Sequence, residues 1–142
     1  MNRALCSFCI LLLFSTSAIS GEPPETPDQC KARLGSERAC MANQISFNQI
    51  ICSMKAKNAQ LARQLGSRPE IQKEADSCGA VAKNTLRPFY EATLKVAKTP
   101  AATAATKKAM QAFFAVMADP PGTVGLRNNL ETALAELEIE MP

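Results

Sequence analysis

Four cysteines, Cys30, Cys40, Cys52 and Cys78, fall inside one stretch of continuous helical patterning, and no other feature restricts the fold of this chain as much. Four cysteines allow three pairings, and helix geometry narrows them. On one helix, Cys40 and Cys52 would lie about 18 Å apart along the axis. A disulfide needs alpha carbons within roughly 7 Å, so a long helix excludes that pair. An antiparallel turn about Gly35 brings Cys30 level with Cys40. A second turn about Gly66 to Pro69 brings Cys52 within about one turn of Cys78. The expected bridges are therefore Cys30–Cys40 and Cys52–Cys78. The rival, Cys30–Cys52 with Cys40–Cys78, requires Cys78 to reach far down the long helix.

Disulfides presuppose an oxidising compartment, and the first twenty residues agree. Arg3 gives a short basic start, Leu5 to Phe14 is apolar apart from Ser7, and Ala18-Ile19-Ser20 supplies small residues for a peptidase. This pattern is a secretory signal peptide with cleavage near Ser20. The apolar run is too short for a membrane span, and no later stretch approaches one. Cys6 and Cys9 precede the cleavage segment, where no lipid anchor would form. The expected organisation is a signal peptide over residues 1–20, a flexible Pro-rich lead-in over 21–26, and a single helical domain over 27–142. The expected location is periplasmic or secreted.

The segment after residue 20 has no His, no Trp and one Tyr, so its core must come from Leu, Ile, Val, Met and many Ala. Such a composition favours closely packed helices over a sheet. The formal net charge of the whole chain is +3, and it is unevenly spread. Eleven Lys/Arg face four Asp/Glu between Lys55 and Lys108, whereas Asp119 to the end holds five acidic residues and Arg127 alone. Internal pairing of an acidic C-terminal helix with a basic middle is one reading; an acidic partner surface is the other.

Helix signals punctuate the chain. Thr26-Pro27-Asp28-Gln29 reads as cap, first-turn proline and capping box, and the short helix ends at Gly35. Ser36 caps a long central helix of about 37–65. On it Cys40, Phe47, Ile51, Met54, Leu61 and Leu65 recur at helical spacing, with Gln44 and Asn58 on the same line. That stripe is the expected core face. Ser67-x-x-Glu70 reads as a further capping box, and Ile71, Ala75, Cys78, Ala82 and Leu86 as one face of the next helix. Gly79 permits either a close helix approach or a local break. Pro88 should kink or restart the helix. Thr99-Pro100 starts another helix, Asp119-Pro120-Pro121-Gly122 breaks it, and Leu126, Leu130, Leu134, Leu137 and Met141 form the stripe of a last one. The expected fold is an all-α, disulfide-stabilised bundle of four to five helices.

Chemistry is hard to place on these residues. Without His there is no Ser-His-Asp or Cys-His nucleophile scheme, and no histidine metal ligand. No glycine-rich phosphate loop occurs. After residue 20 no Cys-x-x-Cys remains for zinc or redox work. Glu70 with Glu74 and Glu136 with Glu140 are i, i+4 pairs on charged faces, the ordinary arrangement of solvated glutamates. Few aromatic residues are available for base stacking, so nucleic acid is not an expected partner. No enzyme activity, metal or cofactor is expected.

Two function classes remain. One is a protein-interaction module presenting the basic middle helices. The other is a carrier of an apolar or lipid-like ligand, its pocket lined by Met110, Phe113, Phe114 and Met117. Phe113 and Phe114 are adjacent and cannot face one core centre, which marks an edge there. Together with Lys107 and Lys108, these four residues form the candidate binding surface.

Ile51-Cys52-Ser53, then Leu61 and Leu65, Tyr90-x-x-x-Leu94 and Lys107-Lys108-Ala109-Met110 give the segment from Cys40 to Phe114 a resemblance to a small exported bacterial family. Its members are helical, cysteine-paired domains related to lysozyme inhibitors. The family's Gln-Arg-Ala-Trp run would fall at Lys107 to Met110, where this chain has neither Gln nor Trp, and the closing cysteine that would follow is missing. The resemblance implies an exported, all-helical protein that inhibits a cell-wall hydrolase, and carries over no inhibitory residue.

Overall fold

The computed structural model describes residues 24–66, 68–119 and 123–142. The signal-peptide reading of residues 1–20, the first part of the lead-in, Ser67 and Pro120 to Gly122 lie outside the described residues. Within them the structure is entirely helical: α1 (Pro27–Leu34), α2 (Glu37–Leu65), α3 (Pro69–Val96), α4 (Pro100–Ala118) and α5 (Val124–Glu140).

Local chemistry sets most of the helix ends. At α1 the Thr26 hydroxyl accepts from the Gln29 amide while the Thr26 amide donates to the Gln29 side chain, satisfying two orphan groups. Gly35 ends the helix at φ 85°, a left-handed conformation that glycine adopts without cost. Ser36 caps α2 by accepting from the Ala39 amide, and Thr99 caps α4 by accepting from Ala102. The start of α3 corrects one expectation. Its N-cap is Arg68, with Pro69 in the first turn and no side-chain cap bond.

The two bridges are the ones helix geometry selects. Cys30 joins Cys40 with alpha carbons 5.8 Å apart, and Cys52 joins Cys78 at 5.5 Å. Both closures make antiparallel hairpins that share α2. The α2–α3 hairpin is tied along its whole length: Arg63 donates to Gln72 near the turn, and the Thr93 hydroxyl reaches the Glu37 carbonyl at the far end. Helices α4 and α5 form a third antiparallel pair, and α3 packs on α4. Phe89, Phe113, Met41, Ile45, Leu86, Leu130 and Leu137 are fully buried where these pairs meet.

Two expectations about helix interiors are overturned. Pro88 does not restart the helix; α3 runs unbroken through it. Its ring is on the exposed side, so the carbonyl deprived of an amide partner faces water, while Leu86 and Phe89 beside it are buried. Packing there offsets a proline penalty of about 3 kcal/mol. The second correction concerns α2. Its core face is Met41, Ile45, Cys52 and Ala59. Of the expected stripe only Cys40 is buried and Ile51 half-buried; Phe47, Met54, Leu61 and Leu65 are exposed. Gly79 resolves toward close approach: a Cβ there would sit 2.9 Å from the Met117 carbonyl oxygen, so α3 and α4 nearly touch.

Candidate binding surfaces

The six residues expected to form one surface on α4 are divided by the fold. Phe113 is fully buried, and Met110 and Met117 belong to the core. The apolar side of α4 thus fills the bundle. Phe114 is half-buried at the edge, its ring centroid 6.2 Å from that of Phe113. Lys107 and Lys108 are exposed but point to different neighbours. Lys108 donates to both carboxylate oxygens of Glu136 on α5, at 2.6 and 2.7 Å. This pair and Arg38–Glu138 at 3.4 Å are the internal use of the acidic C-terminal helix.

Lys107, Met110 and Phe114 instead line one side of a groove of about 610 Å³ between α3 and α4. The other side carries Lys83, Arg87 and Tyr90, with Glu91 as its one lining carboxylate. Lys83 Nζ lies 4.9 Å from the centre of the Phe114 ring, within the range of a cation–π contact. Sequence reasoning did not select Lys83 or Arg87. Their signal was present: Lys83, Arg87 and Tyr90 are spaced i, i+4, i+7 on α3, as Lys107, Met110 and Phe114 are spaced i, i+3, i+7 on α4.

The second surface is the outward stripe of α2. Phe47, Ile50, Met54, Leu61 and Leu65 are between 54% and 86% exposed and follow the helical period over 18 residues, about 27 Å. Scattered exposed apolar residues are ordinary, but five in register on one face, interrupted only by Asn58, are not. Toward the α2–α3 turn the stripe deepens into a hollow of about 470 Å³, where Leu61, Ala62 and Leu65 face Ile71. Lys55 pairs with Glu74 at its rim, at 3.5 Å. Lys57 on the opposite flank makes no ion pair with a described residue.

Among the described residues no cluster of three His, Cys, Asp or Glu could hold a metal ion, and no helix is long and apolar enough to cross a membrane. No protein-family model, curated protein or solved structure matches the chain.

Proposed function

We propose that this is an exported, non-enzymatic interaction module, an inhibitor or envelope adaptor, that docks a partner protein on the outward stripe of α2. The observation that carries the reading is that stripe: five large apolar side chains in helical register, left in water on the longest helix. Such a face suits an amphipathic helix laid along it. The hollow beside Leu61 and Ile71 would take one protruding apolar anchor, which favours a protein over a flat bilayer.

Charge states the partner's chemistry. From Ala39 to Pro69 the chain has no acidic residue, and Lys55, Lys57 and Arg63 are the charged groups of that part of α2. A partner helix with carboxylates flanking its apolar face complements them. A second copy does not: antiparallel pairing centred on Ala56 would set Lys57 against Lys55 of the other copy. Export rests on the leader pattern and on the two disulfides, which persist in oxidising compartments.

Cross-linking in an envelope extract tests this reading, using the wild type and Met54→Asp/Leu61→Asp, a change on exposed positions that leaves the core intact. The expected result is one partner, identified by mass spectrometry, whose cross-linked segment is an acid-flanked helix. It should be lost with the double variant and weakened by Lys57→Glu. A wild-type dimer dissociated by the double variant would assign the stripe to self-association instead. Identical captures by both proteins would sink the proposal.

A further inference from the structure

The groove between α3 and α4 is separate from the α2 stripe and has a different chemistry. Its floor is apolar and aromatic: Met110 is nearly buried, and Tyr90 and Phe114 are half-buried. Its rim is cationic. Lys83, Arg87 and Lys107 line it against Glu91, and none of the three makes an ion pair with a described residue. Lys31, Arg33, Arg38, Lys55 and Lys108 each have a carboxylate partner within 4 Å; what sets Lys83, Arg87 and Lys107 apart from other unpaired cations such as Lys57 is that the three line one concavity. Three cations against one carboxylate around one concavity leave a positive potential that an anion relieves. The low-dielectric floor strengthens that attraction and attracts an apolar body.

We infer that this groove binds a small amphiphile with an anionic head, carboxylate or phosphate, on an apolar chain or ring. The head sits at the rim among Arg87 and Lys107. Arg87 offers a planar fork that matches two oxygens of either head group. The body lies on Tyr90, Met110 and Phe114. A neutral amphiphile would gain only the floor, and a free inorganic anion only the rim, so neither should match the combined ligand.

Isothermal titration of the oxidised protein with decyl phosphate below its micelle concentration tests the site. Decanoate, octyl glucoside and inorganic phosphate serve as comparisons. Saturable binding of about one decyl phosphate per chain is expected, with decanoate competing and the other two failing to compete. Arg87→Ala and Lys107→Ala should each weaken binding about tenfold, and raised salt should weaken it further. Phe114→Leu keeps an apolar edge but removes the ring, and should weaken binding less. Met54→Asp on α2 should leave it unchanged. Absence of saturable binding, equal binding of octyl glucoside, or indifference to both cation variants would overturn the inference. Binding only to phosphatidylglycerol vesicles, with none to monomeric decyl phosphate, would also overturn it in favour of a membrane surface.

Discussion

Gly79 and Gly125 both lie inside helices, and their surroundings give them opposite sensitivities. An added methyl at Gly79 meets the main-chain oxygen of Met117, which cannot swing aside as a side chain would. Gly79→Ala gains about 1 kcal/mol of helix propensity but must push α3 from α4, an overpacking cost of about 1–3 kcal/mol. At Gly125 nothing stands within 4 Å of the added carbon. Denaturant titration should therefore show Gly79→Ala destabilised and Gly79→Val more so, while Gly125→Ala gains about 0.5 kcal/mol. Thr93 carries a different kind of constraint. Its buried hydroxyl lies 2.8 Å from the Phe89 carbonyl and 3.1 Å from the Glu37 carbonyl, tying α3 to the first turn of α2. Thr93→Val keeps the shape and should cost about 1 kcal/mol by the same measurement.

Two ion pairs clasp α1, and their titration has a defined direction. Arg33 holds Glu25 through two bonds of 2.9 and 2.8 Å, and Lys31 donates to Glu37 at 2.6 Å. These hydrogen bonds are the main cause holding both carboxyls below their ordinary value of 4.5. A depressed folded-state value means that the stabilisation is complete above about 4.5 and is lost as pH falls through the lower folded value. Lys31 is raised above 10.5 by Glu37, so that side of the clasp persists until pH rises past its folded value. Thermal midpoints should fall between pH 5 and pH 3, roughly the window where carboxylates gain protons. The fall should be smaller in Lys31→Met/Arg33→Met. Equal falls would show that other carboxylates govern acid stability.

At the scale of whole elements, sequence patterning was a good guide to where helices lie and a poor guide to which side of α2 is inside. Caps and prolines marked α1, α4 and the start of α2 because each is a local hydrogen-bonding event. The stripe failed because α2 has two apolar lines with one period. Phe47, Met54, Leu61 and Leu65 form the larger; Met41, Ile45, Cys52 and Ala59 form the one that is buried. The Cys52–Cys78 bridge holds α2 and α3 close, and small Cys and Ala side chains fit that contact where a Phe would not. Periodicity measures spacing and is blind to this choice. The same limit divided the α4 residues: adjacency of Phe113 and Phe114 marked an edge, but only the packing of α3 showed that Lys83 and Arg87 share it.

The two bridges should differ in energetic weight. Cys52–Cys78 spans 26 residues and Cys30–Cys40 spans 10. In the chain-entropy account each contributes about 2–4 kcal/mol, and the longer loop exceeds the shorter by about 0.8 kcal/mol. Denaturation of Cys52→Ala/Cys78→Ala and of Cys30→Ala/Cys40→Ala, compared at one pH, checks both the sign and the order. A larger loss from the α1 bridge would mean that native packing outweighs loop closure.

For the whole molecule, the covalent ties stop at Cys78, and α4 and α5 are held by packing and by the ion pairs Lys108–Glu136 and Arg38–Glu138. Lys108→Ala should cost about 0.5 kcal/mol or less, as exposed pairs do, because the buried face of α4 holds the pair of helices in place. The scaffold holds two surfaces apart: the apolar stripe on α2 and the cationic groove on the α3–α4 side. The proposed export predicts that expression of the full sequence in a bacterium yields a chain beginning at Gly21 with four oxidised cysteines, read from intact mass with and without reductant. A full-length reduced product would contradict export.

Both bridges join cysteines that are neighbours in the order of the chain. A polypeptide emerging N-terminus first presents Cys30 and then Cys40 before Cys52 has appeared. Where oxidation keeps pace with emergence, each thiol meets its native partner before a competitor exists. Maturation then needs an electron acceptor but no reshuffling enzyme. A host deprived of disulfide isomerase should still assemble the native pair of bonds, even though the finished protein buries all four sulfurs beyond the reach of repair.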